Sequence, residues 1–561
     1  MDNMIDILSR EVEYKADLLE QLLLFTQSNV LKWSWKVGRM GAIFLFLSLL
    51  KAFHNTALKH RRYRHLPGPP RDSFISGHVD TLKKQQKSHG HSHKWFYFLF
   101  REYGGVSLIW IYRSPKILIS SPSFCSLLIR APSTHQSRYE VYNNLSREGP
   151  LVDAVSTGKS ILTDQDSLHR QQRRGVYLRS MHRKSFQHIV DSVQEVSDNI
   201  ILALNRLEET DIRGVILTFV HRIMADSLFG IDTSDYETDL KPPLNAFFSQ
   251  LEMAGKIKMK SRRRTSGFMN WFSYKNVEEF EINEDASYED MDPDKETIEI
   301  RRLIYEHVQI TKQLLRRKSW AEKQDTDLVA AILTQDECKV DDELIVNDII
   351  SLFLIGRELL TTHIIQTLFS ILSDREVYIR VISEMDLLFG ENADPPYSII
   401  SKLKYLDLCI LESLRLNPPQ PTVRSVPKTR KNIYLGKYLM KKTSRHQSTD
   451  FILSIYNIHR DPDHWGPDPH SFNPDRFLGR NMTRLRPCTF FPFSFGSRAC
   501  IGKDFSLMAT KVFLVKLLRM FDVGLLSGGP PKYTDHLSLR ISSAINCSLS
   551  KTKINFKRFG E

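Results

Sequence analysis

Apolar residues recur at three- and four-residue spacing over residues 189–207, 297–316, 348–372 and 504–521, a period that predicts helices with one or more buried faces. Two shorter runs, 106–112 and 116–120, carry the β-branched and aromatic content of strands. At the start, residues 1–27 place Leu8, Val12, Leu19, Leu22 and Leu23 among Asp6, Glu11, Asp17 and Glu20, which predicts an amphipathic helix. Those acids exclude a mitochondrial transit peptide. The run 41–50 (GAIFLFLSLL) is wholly apolar apart from Ser48, yet shorter than the roughly 20 residues a spanning helix needs. Extended to 33–54, it could span a bilayer if Lys36, Arg39 and Lys51 snorkel to the headgroups. An anchor is therefore expected there; an in-plane interfacial helix and a buried soluble helix are the competing readings. Lys59, Arg61, Arg62 and Arg64 follow, so the positive-inside rule leaves everything after them in the cytosol. Pro67, Gly68, Pro69 and Pro70 then form a stiff stretch that no helix continues through. This divides the chain into an extension (1–32), an anchor (33–54), a basic, proline-rich linker (55–71) and a main body (72–561). Within the body, residues 261–296 turn from basic to strongly acidic with few apolar partners, which reads as a solvated insertion.

Composition narrows the function. The chain has 561 residues and 41% hydrophobic content, enough for one large core. Its net charge of +13 could suit nucleic acid or an anionic membrane. Lacking any helix-turn-helix, finger or RNA-binding signature, the charge has no docking geometry for nucleic acid, which is excluded as a partner. Six cysteines are scattered without short paired spacings, so neither a disulfide framework nor a zinc knuckle is expected. His89, His91 and His93 alternate in a Lys-rich stretch, but no Cys or carboxylate completes a metal site, and a solvated loop is the simpler reading.

The segment 493–502, Phe-Ser-Phe-Gly-Ser-Arg-Ala-Cys-Ile-Gly, fills every fixed position of the pattern F-x-x-G-x-R-x-C-x-G. On that segment the chain resembles the cytochrome P450 family of haem-thiolate enzymes, of the eukaryotic membrane-bound type. Further motifs agree: Glu412 and Arg415 in an E-x-x-R, Arg476 in the P-x-R-F element, and His459-Arg460-Asp461-Pro462 with Trp465. The resemblance implies a mainly α fold with a small β portion, haem b between two helices, and Cys500 as thiolate ligand of the iron. Phe493 would wall off the sulfur, Gly496 would allow a tight turn, and Gly502 would let the next helix, starting near Lys503, approach closely. That helix would aim its positive end at the thiolate. Arg498 and Arg424 would bind haem propionates. Arg173 would do so too, within His169-Arg170-Gln171-Gln172-Arg173, where His169 replaces the family's tryptophan; an exposed basic helix is the plainer alternative. Glu412, Arg415 and Arg476 would form a buried structural network, costly to break and unsuited to chemistry.

One departure bears on activity. The oxygen-side helix of the family reads A/G-G-x-D/E-T, and here it reads Ile355-Gly356-Arg357-Glu358-Leu359. Gly356 and Glu358 match, but Leu359 cannot donate a hydrogen bond. Thr362 is displaced by about 4.5 Å along the helix and about 60° around it, so it could substitute only through water; Thr361 lies on the far face. The polar stretch 440–450 also replaces a compact family turn. The expected activity is monooxygenation of a lipophilic small molecule such as a sterol or fatty acid. Dioxygen would be the co-substrate, a flavoprotein of the NADPH–cytochrome P450 reductase type the electron donor, and the endoplasmic reticulum membrane the site, with the catalytic domain facing the cytosol. Lys503, Arg173 and Lys184 would steer the reductase. The alternatives are a P450-like isomerase or lyase acting on peroxides, and a non-enzymatic haem- or lipid-binding protein.

Overall fold

The computed structural model describes residues 44–130, 160–161, 167–229, 308–309, 328–333, 341–425, 432–440, 450–479, 487–526 and 545–551, with short breaks inside those ranges. The chain divides into two units, Met1–His65 and Leu66–Glu561. In the first, residues 50–63 are helical, and Phe44, Phe46, Leu47, Leu50 and Phe53 are each more than half exposed. No helix among the described residues is long and apolar enough to cross a membrane. Residues 33–43 of the expected anchor, the helix expected over 1–27, the charged insertion 261–296 and nearly all of 297–316 lie outside the described residues.

The second unit is mainly helical, with small sheets. Its principal helices are α1 (His93–Tyr103), α2 (Ser167–Ser180), α3 (Lys184–Leu204), α4 (Ile212–Ile223), α5 (Asp342–Ser373), α6 (Arg375–Phe389), α7 (Lys404–Leu416) and α8 (Lys503–Met520). The strands are β1 (Val106–Ile111), β2 (Ser114–Ile119), β3 (Glu209–Asp211), β4 (Thr422–Ser425), β5 (Ile433–Leu435), β6 (Tyr438–Met440), β7 (Asp450–Ser454), β8 (Phe521–Leu525) and β9 (Asn546–Lys551). One sheet has the order β1-β2-β7-β4, a second β3-β9-β8, and β5-β6 form a ribbon. The two strands read from the sequence make an antiparallel hairpin with Val106 opposite Ile119. Trp95, Phe96 and Leu99 of α1 cover it, packing on Ile109, Leu118 and Ile452. The proline-rich stretch closes against the same sheet: Leu108 N donates to Pro67 O at 2.7 Å, and a Cβ on Gly68 would collide with Leu108 O.

α5 is the axis of the unit, 32 residues long and in contact with α4, α6, α7 and α8. It is apolar nearly all round, the signature of a helix surrounded by protein. It begins at Asp342, ahead of the apolar period, because Asp341 caps it and Asp342 and Glu343 load its first turn with acid. α8 ends at Met520, and the last apolar residue of its period, Phe521, opens β8.

Candidate functional site

The loop before α8 is tied by its own backbone. Phe491 O accepts from Ser494 N at 2.9 Å, Gly496 O from Ala499 N at 3.1 Å, and Phe493 O from Cys500 N at 2.8 Å. Gly496 has φ +72°, a conformation in which a side chain would be strained. Cys500 is exposed and stands two residues ahead of Gly502, the N-cap of α8. The first-turn N–H groups and the helix dipole there favour an anion. Gly502 has φ −90°, and a Cβ at its position meets no atom of the described residues within 4 Å. Arg498 lies outside the described residues.

On α5 the burial is interrupted along one stripe. Leu352, Gly356 and Leu359 are partly open while their helix neighbours are buried, and at about 100° per residue all three fall on one face. Leu352 and Leu359 border the same core cluster as Phe490, Phe493 and Ile501 of the cysteine loop. An exposed thiol just ahead of a helix N-terminus, and a partly open apolar stripe that borders the same core as the loop's aromatic residues, suit a flat apolar cofactor with a sulfur ligand.

Glu358 of α5 is 6% exposed and accepts from Arg357 Nη2 at 2.6 Å. Gly356 serves packing: a Cβ there would come within 2.7 Å of Met224 Cε, in the short π-helix Met224–Leu228. Thr362 is buried, and Thr361 Oγ1 has no hydrogen-bond partner among the described residues. Sequence reasoning missed His363, whose two ring nitrogens are buried with no hydrogen-bond partner among the described residues and whose pKa burial lowers to about 3. Its place one turn beyond Leu359 on the same face was legible from the helical period.

Arg173 is 2% exposed, which removes it from the docking surface expected for a reductase. Its Nη1 donates to both oxygens of Asp348, at 2.9 and 2.8 Å. Tyr177 Oη adds a bond to Asp348 Oδ2 at 2.9 Å, and Ile161 N donates to Oδ1. Asp348 thus joins α2, α5 and the segment before α2. Burial raises its pKa to about 6 against the opposing pull of Arg173. His169 lies in α2 and Arg424 in β4 opposite Ile452; their side chains, like that of Lys184, lie outside the described residues.

The Glu412–Arg415–Arg476 network is laid out in full. Arg415 Nε and Nη2 donate to the two oxygens of Glu412 at 2.6 and 2.7 Å. Arg476 Nε stands 3.3 Å from Glu412 Oε1, and Asn473 N donates to that same oxygen at 2.9 Å. Arg415 Nη1 reaches His459 O and Pro469 O at 2.8 and 2.7 Å, while Arg476 Nη1 holds Trp465 O at 2.6 Å. α7 is thereby bolted to the segment carrying residues 459–477. Among the described residues no group of three or more His, Cys, Asp or Glu could hold a metal ion. His93 is buried at the start of α1, His89 is exposed, and His91 lies outside the described residues.

Comparison with known proteins gives a family. The model of the family described as Cytochrome P450 matches residues 67–548. The chain is 23% identical over 495 residues to a Drosophila melanogaster protein named Probable cytochrome P450 4aa1, covering 86% of this chain and 88% of the relative. It is 22% identical over 467 residues to Protein LUTEIN DEFICIENT 5, chloroplastic, of Arabidopsis thaliana, covering 81% and 73%. It is also 28% identical over 258 residues to Bifunctional cytochrome P450/NADPH--P450 reductase ALT2 of Alternaria alternata. That match takes in 45% of this chain and spans about a fifth of ALT2, 21% of its length.

Proposed function

The chain belongs to the cytochrome P450 family, and from that premise we propose that it is a haem-thiolate monooxygenase of lipophilic substrates, with Cys500 ligating the iron. The observation that carries the reading is the exposed Cys500 thiol, fixed by its N–H to Phe493 O at 2.8 Å just ahead of α8. Bound haem supplies dioxygen activation, and a thiolate ligand favours O–O cleavage. The chain's own residues do the rest. The Cys500 loop and the N-terminus of α8 keep the sulfur anionic. Leu352, Leu359 and Phe493 exclude water from an apolar face, and Arg173, Arg424 and Arg498 are the cations for the propionates. Glu358 and Thr362 are the polar groups of α5 nearest the altered position 359. A flavoprotein reductase is the electron donor in this reading, docking with exposed Lys503 at its margin. The exposed Phe44, Phe46, Leu47, Leu50 and Phe53 support attachment to the endoplasmic reticulum membrane, the body facing the cytosol.

A second reading is favoured by one observation. Leu359 has no hydroxyl and Glu358 is engaged by Arg357 at 2.6 Å, which suits an isomerase or lyase that takes oxygen already reduced, as an organic hydroperoxide. The test is a reduced, carbon-monoxide difference spectrum of the full chain, then turnover with NADPH and a reductase or with a hydroperoxide alone. A long-wavelength thiolate band, lost in Cys500→Ser, is expected. A spectrum unchanged by Cys500→Ser would overturn the ligand, and turnover restricted to the hydroperoxide would select the second reading.

A further inference from the structure

His459 closes the four-residue helix Ile455–Ile458, its N–H donating to Ile455 O at 2.8 Å. The ring is fully buried and both nitrogens are occupied. Nδ1 lies 3.2 Å from Arg415 O, and Nε2 lies 3.0 Å from Phe491 N. A carbonyl oxygen only accepts and a backbone N–H only donates. The two contacts together therefore admit one form of the ring: neutral, with its proton on Nδ1 and Nε2 bare. The carbonyl of His459 is in turn held by Arg415 Nη1 at 2.8 Å. Residues 415 and 459 thus grip each other twice, side chain to main chain in each direction.

Phe491 opens the stretch that ends at Cys500, and its carbonyl begins the bonds that fold that loop. The imidazole also stacks on Phe490, with centroids 5.1 Å apart and planes at 27°, and meets Phe491 edge-on at 5.7 Å. We propose that His459 is a positioning residue for the cysteine loop, a neutral imidazole strut that fixes the start of the loop to the Glu412–Arg415–Arg476 network and so sets where the Cys500 sulfur stands. This rests on the reading of Cys500 as the iron ligand. The strut has a built-in failure in acid, because a second ring proton would set N–H against N–H across the 3.0 Å contact with Phe491. The charges facing the ring are both cations, Arg415 from α7 and Arg460 from its own segment. The remaining neighbours in ring contact are Trp465, Phe490 and Phe491. Burial first, then Arg415, lowers the imidazole pKa to about 3.

The test compares the wild type with His459→Phe, which keeps a ring against Phe490 but loses both bonds, and with His459→Gln, which restores an acceptor and a donor without a titration. In the haem-free full chain, His459→Phe should speed amide exchange at Phe491 and Cys500 by about tenfold, the worth of a lost hydrogen bond, while the amides of α8 keep their rates. With haem bound, the same variant should lose the thiolate band at neutral pH and His459→Gln should retain it. Nitrogen NMR of the wild type should show Nδ1 protonated and Nε2 bare from pH 8 to pH 5. Unchanged exchange at Phe491 in His459→Phe, or a ring protonated at Nε2, overturns the strut. Should His459→Phe not fold, the ring NMR and His459→Gln carry the test alone. A wild type without a thiolate band defeats the ligand reading instead, and the exchange and NMR measurements still decide the strut.

Discussion

In the proposed monooxygenase, position 359 is where one side chain bears most directly on the handling of oxygen. Leu359 is partly open on the only such stripe described along the middle of α5, and it offers neither donor nor acceptor where the family has a hydroxyl. Of the neighbouring groups, Glu358 accepts from Arg357, and Thr362, about 60° around the helix, reaches that position only through water. Leu359→Thr should therefore raise product formed per NADPH consumed by roughly tenfold, with peroxide release falling by the amount of product gained; this is less than the roughly hundredfold or more that a positioned proton donor contributes to a chemical step, because the ratio cannot exceed one. Equal coupling in the two proteins would show that protons arrive by another route. The proposed cysteine ligand, the E-x-x-R pair and the leucine at 359 were all legible in the sequence because each is written in a handful of adjacent residues. Asp348 was not. Its partner Arg173 lies 175 residues away, and a lone acid in an apolar helix carries no sign of what it faces. The pairing of Arg357 with Glu358 was equally hidden, since adjacent helix positions do not face each other and only a long guanidinium side chain can fold back to make the bond.

Among the elements, the long ones followed from period and the short ones did not. Residues 348–372 repeat apolar positions often enough to announce α5, and the hairpin of β1 and β2 follows from two runs separated by turn residues. The four-residue helix Ile455–Ile458 and the π-helix Met224–Leu228 contain too few residues to show any period. They matter nonetheless, one presenting His459 and the other filling the space at Gly356. Asp374 joins two of the long elements: α5 ends at Ser373, and the Asp374 side chain accepts from Glu376 N at 3.0 Å and Val377 N at 3.1 Å to start α6. Asp374→Ala leaves both N–H groups without that cap and should cost about 1 kcal/mol in urea unfolding. Because α6 carries none of the groups assigned to the cofactor, the carbon-monoxide spectrum should not change. A spectral change at constant stability would mean that the angle between α5 and α6 reaches the site.

At the scale of the whole molecule, three deeply buried ionisable groups contribute to how stability responds to acid, and they do not pull the same way. Burial lowers the imidazoles of His363 and His459 to about 3, whereas an unfolded imidazole titrates near 6.5. Between those values the unfolded chain binds more protons than the folded one, so each histidine takes away about 1.4 kcal/mol for every unit of falling pH. Asp348 is raised to about 6, above the value of about 3.9 for an unfolded aspartate. Between about pH 4 and 6 the folded state is the one that binds the extra proton there, and stability grows by a similar amount per unit of falling pH. The sum in that window is one histidine's slope, a loss of about 1.4 kcal/mol per unit, steepening below pH 4 once Asp348 is protonated in both states. Urea unfolding followed by circular dichroism at intervals from pH 7 to pH 4 separates the contributions. His363→Leu, which removes an imidazole with no hydrogen-bond partner among the described residues, should flatten the profile between pH 4 and 6. Asp348→Asn should double its slope, since both histidines then act unopposed. Identical slopes in the three proteins would mean that these groups do not hold their protons as their burial requires, and that the acid response of the fold is set at its surface.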